Sequence, residues 1–364
     1  MNYSERLAAL PFHFWSVVFF ALGATVGSFL NVCIHRLPRG ESIVSPPSHC
    51  PHCGGRIPWR HNLPILSWLW LRGRCAMCGG PIAVRYVLVE FLTGALFLGC
   101  WIVFGRESPA LALVYAAFLA ALVAATFIDV EHYIIPDEIT LGGTVAGFFC
   151  SFFVPALHGS NGPVGGAQGA LIGAALGGGV MYAILRLGKW LFGRERLRLE
   201  PGSVVFFGEE GIELPDRFVP YEEVFYRPGD EIRLEAERVE LADRCYARCT
   251  VRLSRDRLLI GPDTLDPEQV PFMEVVTDRL QLPREAMGLG DVKFMMAIGA
   301  FLGWRGVLFT LMTSAMIGAA FGVAAILARR REWSSRIPYG PYLALAATVW
   351  IFAGDAIVRF WLGR

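Results

Sequence analysis

The chain predicts an α-helical polytopic membrane protein of about eight transmembrane helices, with a cytoplasmic zinc-binding loop and a small β-rich cytoplasmic insertion. Three observations carry this. The 364 residues are 54% hydrophobic and only 18% charged, against about a quarter charged in soluble domains. The deficit is uneven, because long apolar runs alternate with charged segments. Those charged segments include one loop with two Cys-x-x-Cys pairs and one block of alternating polar and apolar residues. The formal net charge of +1 points to no nucleic-acid partner. The first apolar run lacks a small-residue cleavage site, so no cleavable signal peptide is expected.

A span needs about 20 mainly apolar residues. The candidates are 12–34, 84–104, 109–128, 139–157, 166–189, 290–304, 306–328 and 340–361, the sixth being short. They divide the chain into a first transmembrane helix (1–34), a tetracysteine loop (35–83), helices two to five (84–193), an insertion (194–286) and helices six to eight (287–364). Gly142-Gly143 and Gly177-Gly178-Gly179 either allow close helix–helix approach in lipid or are simply tolerated there.

Basic residues set the orientation. Arg36, Arg39, Arg56, Arg60, Arg72, Arg74 and Arg85 fall in one loop, Arg186, Lys189, Arg194 and Arg196 follow the fifth span, and Arg329, Arg330, Arg331 and Arg336 precede the last. With eight spans all three groups share one side, expected to be the cytoplasm. The opposite loops are poor in charge, and 158–166 has no Lys, Arg, Asp or Glu.

In the first loop, Cys50-Pro51-His52-Cys53-Gly54 and Cys75-Ala76-Met77-Cys78-Gly79 are separated by 21 residues. Each pair can place two thiolates on one ion. Four thiolates in tetrahedral geometry suit structural Zn²⁺ and leave no open catalytic position. His49 and His52 are alternative ligands, and a redox pair or unused thiols are the competing readings. A cytoplasmic site disfavours structural disulfides. A metal would supply folding energy that a loop of little apolar content cannot.

The insertion shows period-two alternation, as in Glu231-Ile232-Arg233-Leu234 and Val251-Arg252-Leu253, with turn signals at Pro228-Gly229 and Gly261-Pro262. This predicts half-buried strands. Nothing in it looks catalytic.

Two aspartates carry the chemistry. Asp129 lies in FIDVEHYIIPDE (127–138) and Asp291 in MGLGDVK (287–293), each where an apolar run meets a polar loop and each at a cytoplasmic end. A carboxylate at the edge of a hydrocarbon layer is costly and marks function. Gly288 and Gly290 strip side chains beside Asp291, so a substrate backbone could approach closely. Two carboxylates brought together can share a proton. One, ionised, would deprotonate a water; the other, protonated, would polarise a scissile carbonyl and later protonate the amine. The rival class is an ion-coupled transporter using Asp129 and Asp291 as proton or cation sites. A scaffold protein is a third reading. No internal repeat is evident, and both aspartates sit at an edge rather than the midplane, which favours hydrolysis.

These residues resemble the type IV prepilin peptidases, bifunctional leader peptidases and N-methyltransferases of type IV pilus and type II secretion systems. The resemblance rests on Gly27-Ser28-Phe29-Leu30-Asn31-Val32 with Arg36-Leu37-Pro38, the double Cys-x-x-Cys loop and Val89-Glu90-Phe91. It continues through the Asp129 segment, Arg284 to Lys293, Gly299-Ala300-Phe301-Leu302-Gly303-Trp304 and Ile337-Pro338-Tyr339-Gly340-Pro341. It implies that Asp129 and Asp291 are the catalytic pair. The implied substrates are prepilins or pseudopilins, whose basic leader is cut at the cytoplasmic face of the bacterial inner membrane. The new N-terminus would then be methylated from S-adenosylmethionine, for which no binding residues are evident. Membrane lipid is the other expected contact. Glu90, Glu131, Asp137 and Glu138 either offer negative potential to a basic leader or are ordinary interfacial charges. Lys293 either biases Asp291 or anchors a helix end. The insertion is longer than the family's usual loop there.

Overall fold

In the computed structural model, residues 11–192, 194–221, 224–225, 230–283, 288–327 and 338–361 are described. The chain divides into two compact units, Met1–Tyr182 with Leu289–Arg364, and Ala183–Gly288.

The first unit is helical: α1 Phe12–Arg36, the short α2 Leu66–Trp70, α3 Val84–Phe104, α4 Pro109–His132, α5 Asp137–Phe153, α6 Pro163–Phe192, whose last turns beyond Tyr182 fall in the second unit, α7 Leu289–Leu327 and α8 Gly340–Trp361. All eight apolar runs are helical. The sixth and seventh are the two arms of α7, which breaks at Gly303 with φ 67° and ψ −177°, a conformation open to glycine. Among the described residues, counting α7 once, five helices are long and apolar enough to cross a membrane: those over Phe12–Arg39, Val84–Phe104, Pro109–His132, Pro163–Trp190 and Leu289–Ala324. The 17 residues of α5 and the apolar stretch Gly340–Gly354 of α8 are shorter.

Two glycine contacts fix the helices that matter for the site. On α1, a Cβ at Gly27 would fall 2.7 Å from the Cα of Glu90 on α3. Asn31, one turn on, donates from Nδ2 to the Tyr86 carbonyl at 3.1 Å. Between α6 and α7, a Cβ at Gly173 would lie 2.0 Å from the Gly299 carbonyl oxygen and one at Gly299 2.1 Å from that of Gly173. Backbones this close are a common solution in lipid, where packing rather than hydrophobicity drives helix association. Of the glycines singled out in the sequence, Gly177 meets the Met295 carbonyl in the same way, whereas Gly142 and Gly179 face open space.

The second unit is an antiparallel sheet, as its alternation predicts. Its strands are β1 Arg194–Arg198, β2 Val204–Phe207, β3 Gly211–Glu213, β4 Phe218–Pro220, β5 Glu231–Glu240, β6 Cys245–Ser254, β7 Leu258–Ile260, β8 Asp263–Leu265, β9 Met273–Val276 and β10 Arg279–Pro283. The order is β4-β3-β2-β9-β5-β6-β7-β8, with β10 joining β5 to β1. Ile232 and Leu234 of β5 and Val251 and Leu253 of β6 are buried in its core. Gly261-Pro262 forms the tight turn between Ile260 and Asp263. Pro228-Gly229 lies outside the described residues, as do residues 284–287 of the Asp291 segment and the arginine-rich stretch 329–336.

Candidate active site and metal centre

Asp129 ends α4. Ser108 caps the start of that helix by accepting the Leu111 N–H at 3.2 Å, and Tyr133 closes it in the left-handed region with φ 55°, donating its N–H to the Asp129 carbonyl. A non-glycine residue held at positive φ is uncommon and marks a constrained turn. Three residues on, Pro136 opens α5. The hairpin leaves Asp129 buried, at 5% exposure, and Ile135 buried beside it.

The partner of the Asp129 carboxylate comes from the far end of the chain. The Gly340 N–H, at the first residue of α8, donates to Asp129 Oδ2 at 2.9 Å. A Cβ at 340 would stand 2.7 Å from that oxygen and 3.1 Å from Ile135, so only glycine fits without displacement. A helix N-terminus presents unpaired N–H groups and favours a carboxylate.

Asp291 opens α7 and is half-buried. On the same helix α7, Ser314 Oγ lies 2.8 Å from the hydroxyl of Tyr339, the residue before Gly340. Gly290 faces Ile135, with 3.7–3.9 Å available to a Cβ. Ile135 therefore lies beside both Gly290, which precedes Asp291, and Gly340, which holds Asp129. Sequence reasoning gave Tyr339 and Gly340 no role of their own; the Pro-Tyr-Gly-Pro run before an apolar helix was the available signal.

The four acidic residues singled out in the sequence, Glu90, Glu131, Asp137 and Glu138, are mostly engaged. Glu131 pairs with Arg85. Asp137 pairs with Lys293 at 2.7 Å, so Lys293 holds the start of α7 to the start of α5. Glu90 is buried and accepts the Ile65 N–H at 2.7 Å. Only Glu138 among the four stays exposed without one of these contacts. Burial and pairing, which sequence does not show, thus remove most of the negative potential expected for a leader. An apolar groove between α4, α5 and α7, lined by Phe118, Leu122, Ile139, Phe294 and Phe301, starts within one turn of Asp137 and Asp291.

The four cysteines come together: the sulfurs of Cys50, Cys53, Cys75 and Cys78 all lie within 4.8 Å of one another. Two copies of one loop build the cluster. In the first, Gly54 N–H donates to the Cys50 carbonyl at 2.9 Å and Cys50 N–H to Gly55 at 2.9 Å; in the second, Gly79 donates to Cys75 at 2.9 Å and Cys75 to Gly80 at 2.8 Å. Gly54 and Gly79 hold φ of 67° and 72°. The copies interlock, His52 against Gly80 and Met77 against Gly55. The Cys75 thiol is pulled down to about 7, chiefly by the Cys78 backbone N–H, while the Cys78 thiol is pushed up despite the Gly80 N–H, by burial and the neighbouring sulfurs. Cys50 and Cys78 sulfurs are 3.9 Å apart, close to the ~3.8 Å edge of a tetrahedron with ~2.3 Å metal–sulfur bonds. The donor set fits one tetrahedral ion. His52 packs by its ring, and neither it nor His49 belongs to the cluster.

Family models match most of the helical unit. The bacterial peptidase A24 N-terminal domain matches residues 21–104, and the type IV leader peptidase family matches 116–197 and 275–323. The break in the second match falls within the β-sheet unit. A prepilin leader peptidase/N-methyltransferase of Aeromonas hydrophila is 29% identical over 98% of this chain and 97% of its own. A protein of the same name from Myxococcus xanthus is 43% identical over 52% of this chain and 55% of its own. One from Burkholderia pseudomallei is 27% identical over 95% and 88%. No solved structure matches. The models account for both the cysteine loop and the segments holding the two aspartates, and the chain belongs to the type IV leader peptidase family.

Proposed function

We propose that the chain is a membrane aspartic endopeptidase that removes the basic leader from prepilins or pseudopilins, with Asp129 and Asp291 as its catalytic pair. The observation that carries this is the bond from the Gly340 N–H to the buried Asp129 carboxylate, made beside Ile135, which also faces Gly290 next to Asp291. In the proposed reaction one carboxylate is ionised and takes a proton from water. The other is protonated, polarises the scissile carbonyl and returns a proton to the leaving amine. For a coupled pair these roles belong to the dyad rather than to either residue. The Gly340 N–H fixes the Asp129 carboxylate, and the missing side chains at 288 and 290 leave room for the substrate backbone.

The finer reading is eight crossings of the bacterial inner membrane, with the cysteine loop, the sheet unit and both aspartates at the cytoplasmic face. The arginine distribution supports it. Zn²⁺ is the ion that best suits a closed four-thiolate set; Cys50, Cys53, Cys75 and Cys78 would hold it, and it would stabilise the loop without taking part in cleavage. The names of the relatives also support N-methylation of the new N-terminus, with S-adenosylmethionine consumed as a co-substrate. They give no support to ion transport. Incubating the reconstituted chain with a prepilin, with and without S-adenosylmethionine, and reading the products by mass tests both activities separately.

A further inference from the structure

The cysteine loop carries a second feature that metal binding does not use. Between the two knuckles, Trp59, Leu63, Leu66, Leu69 and Trp70 point away from the protein, with Trp59 80% and Trp70 79% exposed. Exposed apolar patches on this scale mark an interaction surface. Arg56, Arg60, Arg72 and Arg74 are interspersed with and flank these residues in sequence, all exposed. From Ser42 to Val89 there is not one acidic residue.

A hydrogen bond fixes the height of this patch. The Ile65 N–H donates to Oε2 of Glu90 at 2.7 Å. Glu90 is the seventh residue of α3, about 9 Å inside a helix long enough to cross a membrane. Ile65 itself sits at φ 62°, which is strained for a β-branched residue. That strain is held where Ile65, the residue before α2, bonds Glu90 in the second turn of α3. The patch thus lies beside the end of a span, not out in solution.

We propose that residues 59–70 form an interfacial anchor lying in the headgroup layer of a membrane containing anionic phospholipid. The tryptophans and leucines enter the acyl boundary and the arginines meet lipid phosphates. Tryptophan with arginine is the composition that this layer favours. A basic leader is the wrong partner, because the arginines would repel it. The anchor would hold the metal loop against the bilayer whether or not the peptidase reading stands.

The test uses the full chain with Trp70→p-benzoylphenylalanine in nanodiscs of phosphatidylethanolamine and phosphatidylglycerol. Irradiation followed by intact mass should give a phospholipid-sized adduct. The yield should fall several-fold in phosphatidylcholine discs and in Arg60→Gln/Arg72→Gln/Arg74→Gln. An adduct with a second copy or with added prepilin in place of lipid, or no lipid adduct, overturns the anchor; equal yield in both lipids overturns the part assigned to the arginines. A metal content equal to that of the parent chain shows the loop is intact, and Leu69→p-benzoylphenylalanine gives a second position if it is not.

Discussion

The backbone N–H of Gly340 donates to the carboxylate of Asp129 at 2.9 Å across 211 residues of sequence. The start of the last helix is therefore part of the site at the end of α4, and the fit leaves no room for a side chain at 340.

Gly340→Ala should lower prepilin cleavage about 100-fold, the scale of loss when a reacting group is displaced by about 1 Å. The added methyl would push against Asp129 Oδ2. Membrane insertion and metal content should be unchanged. Cleavage rates measured beside detergent-extracted yield check this, and a wild-type rate would show that the carboxylate tolerates the shift.

Cys50→Ser or Cys78→Ser should remove the bound ion and expose the loop 35–83 to protease, while any cleavage that remains stays dependent on the aspartates. Elemental analysis should find about one zinc per wild-type chain and far less in the variants. Wild-type protein free of zinc would reject the assignment of the ion.

Gly173→Leu or Gly299→Leu should destabilise the helical unit by at least the ~1–3 kcal/mol typical of overpacking, because each Cβ would meet the facing carbonyl oxygen near 2 Å. Thermal unfolding in detergent reads this. Gly142→Leu, facing open space, should leave the midpoint within a few degrees of wild type.

The sheet unit should be removable. Arg194 of β1 pairs with Pro283 of β10, so the two ends of the insertion already lie side by side and a short linker can join them. Deletion of 195–283 should retain some peptidase activity; total loss in a correctly inserted protein would show that the unit takes part.

Much of this was legible in the sequence because the relevant patterns are local. Hydropathy located the helical segments, and the break between 290–304 and 306–328 matches the turn at Gly303. Repeated Cys-x-x-Cys-Gly spacing revealed the cluster, and alternation at Ile232, Leu234, Val251 and Leu253 the strands. What escaped depends on contacts distant in sequence. Nothing near Asp129 announces Gly340. The pairing of Asp137 with Lys293 spans 156 positions, and the burial of Glu90 follows from α1 crossing α3 at Gly27. Local pattern names the carboxylates; only packing shows which of the neighbouring charges are already spent.

The most direct measurement is cleavage of a reconstituted prepilin by Asp129→Asn and Asp291→Asn, each inserted normally and retaining its metal. Both variants should yield no product lacking the leader when the reaction is read by mass, while wild type converts the substrate fully and adds one methyl group when S-adenosylmethionine is present. Cleavage by either variant at the wild-type rate would remove that residue from the mechanism and contradict the carboxylate pair.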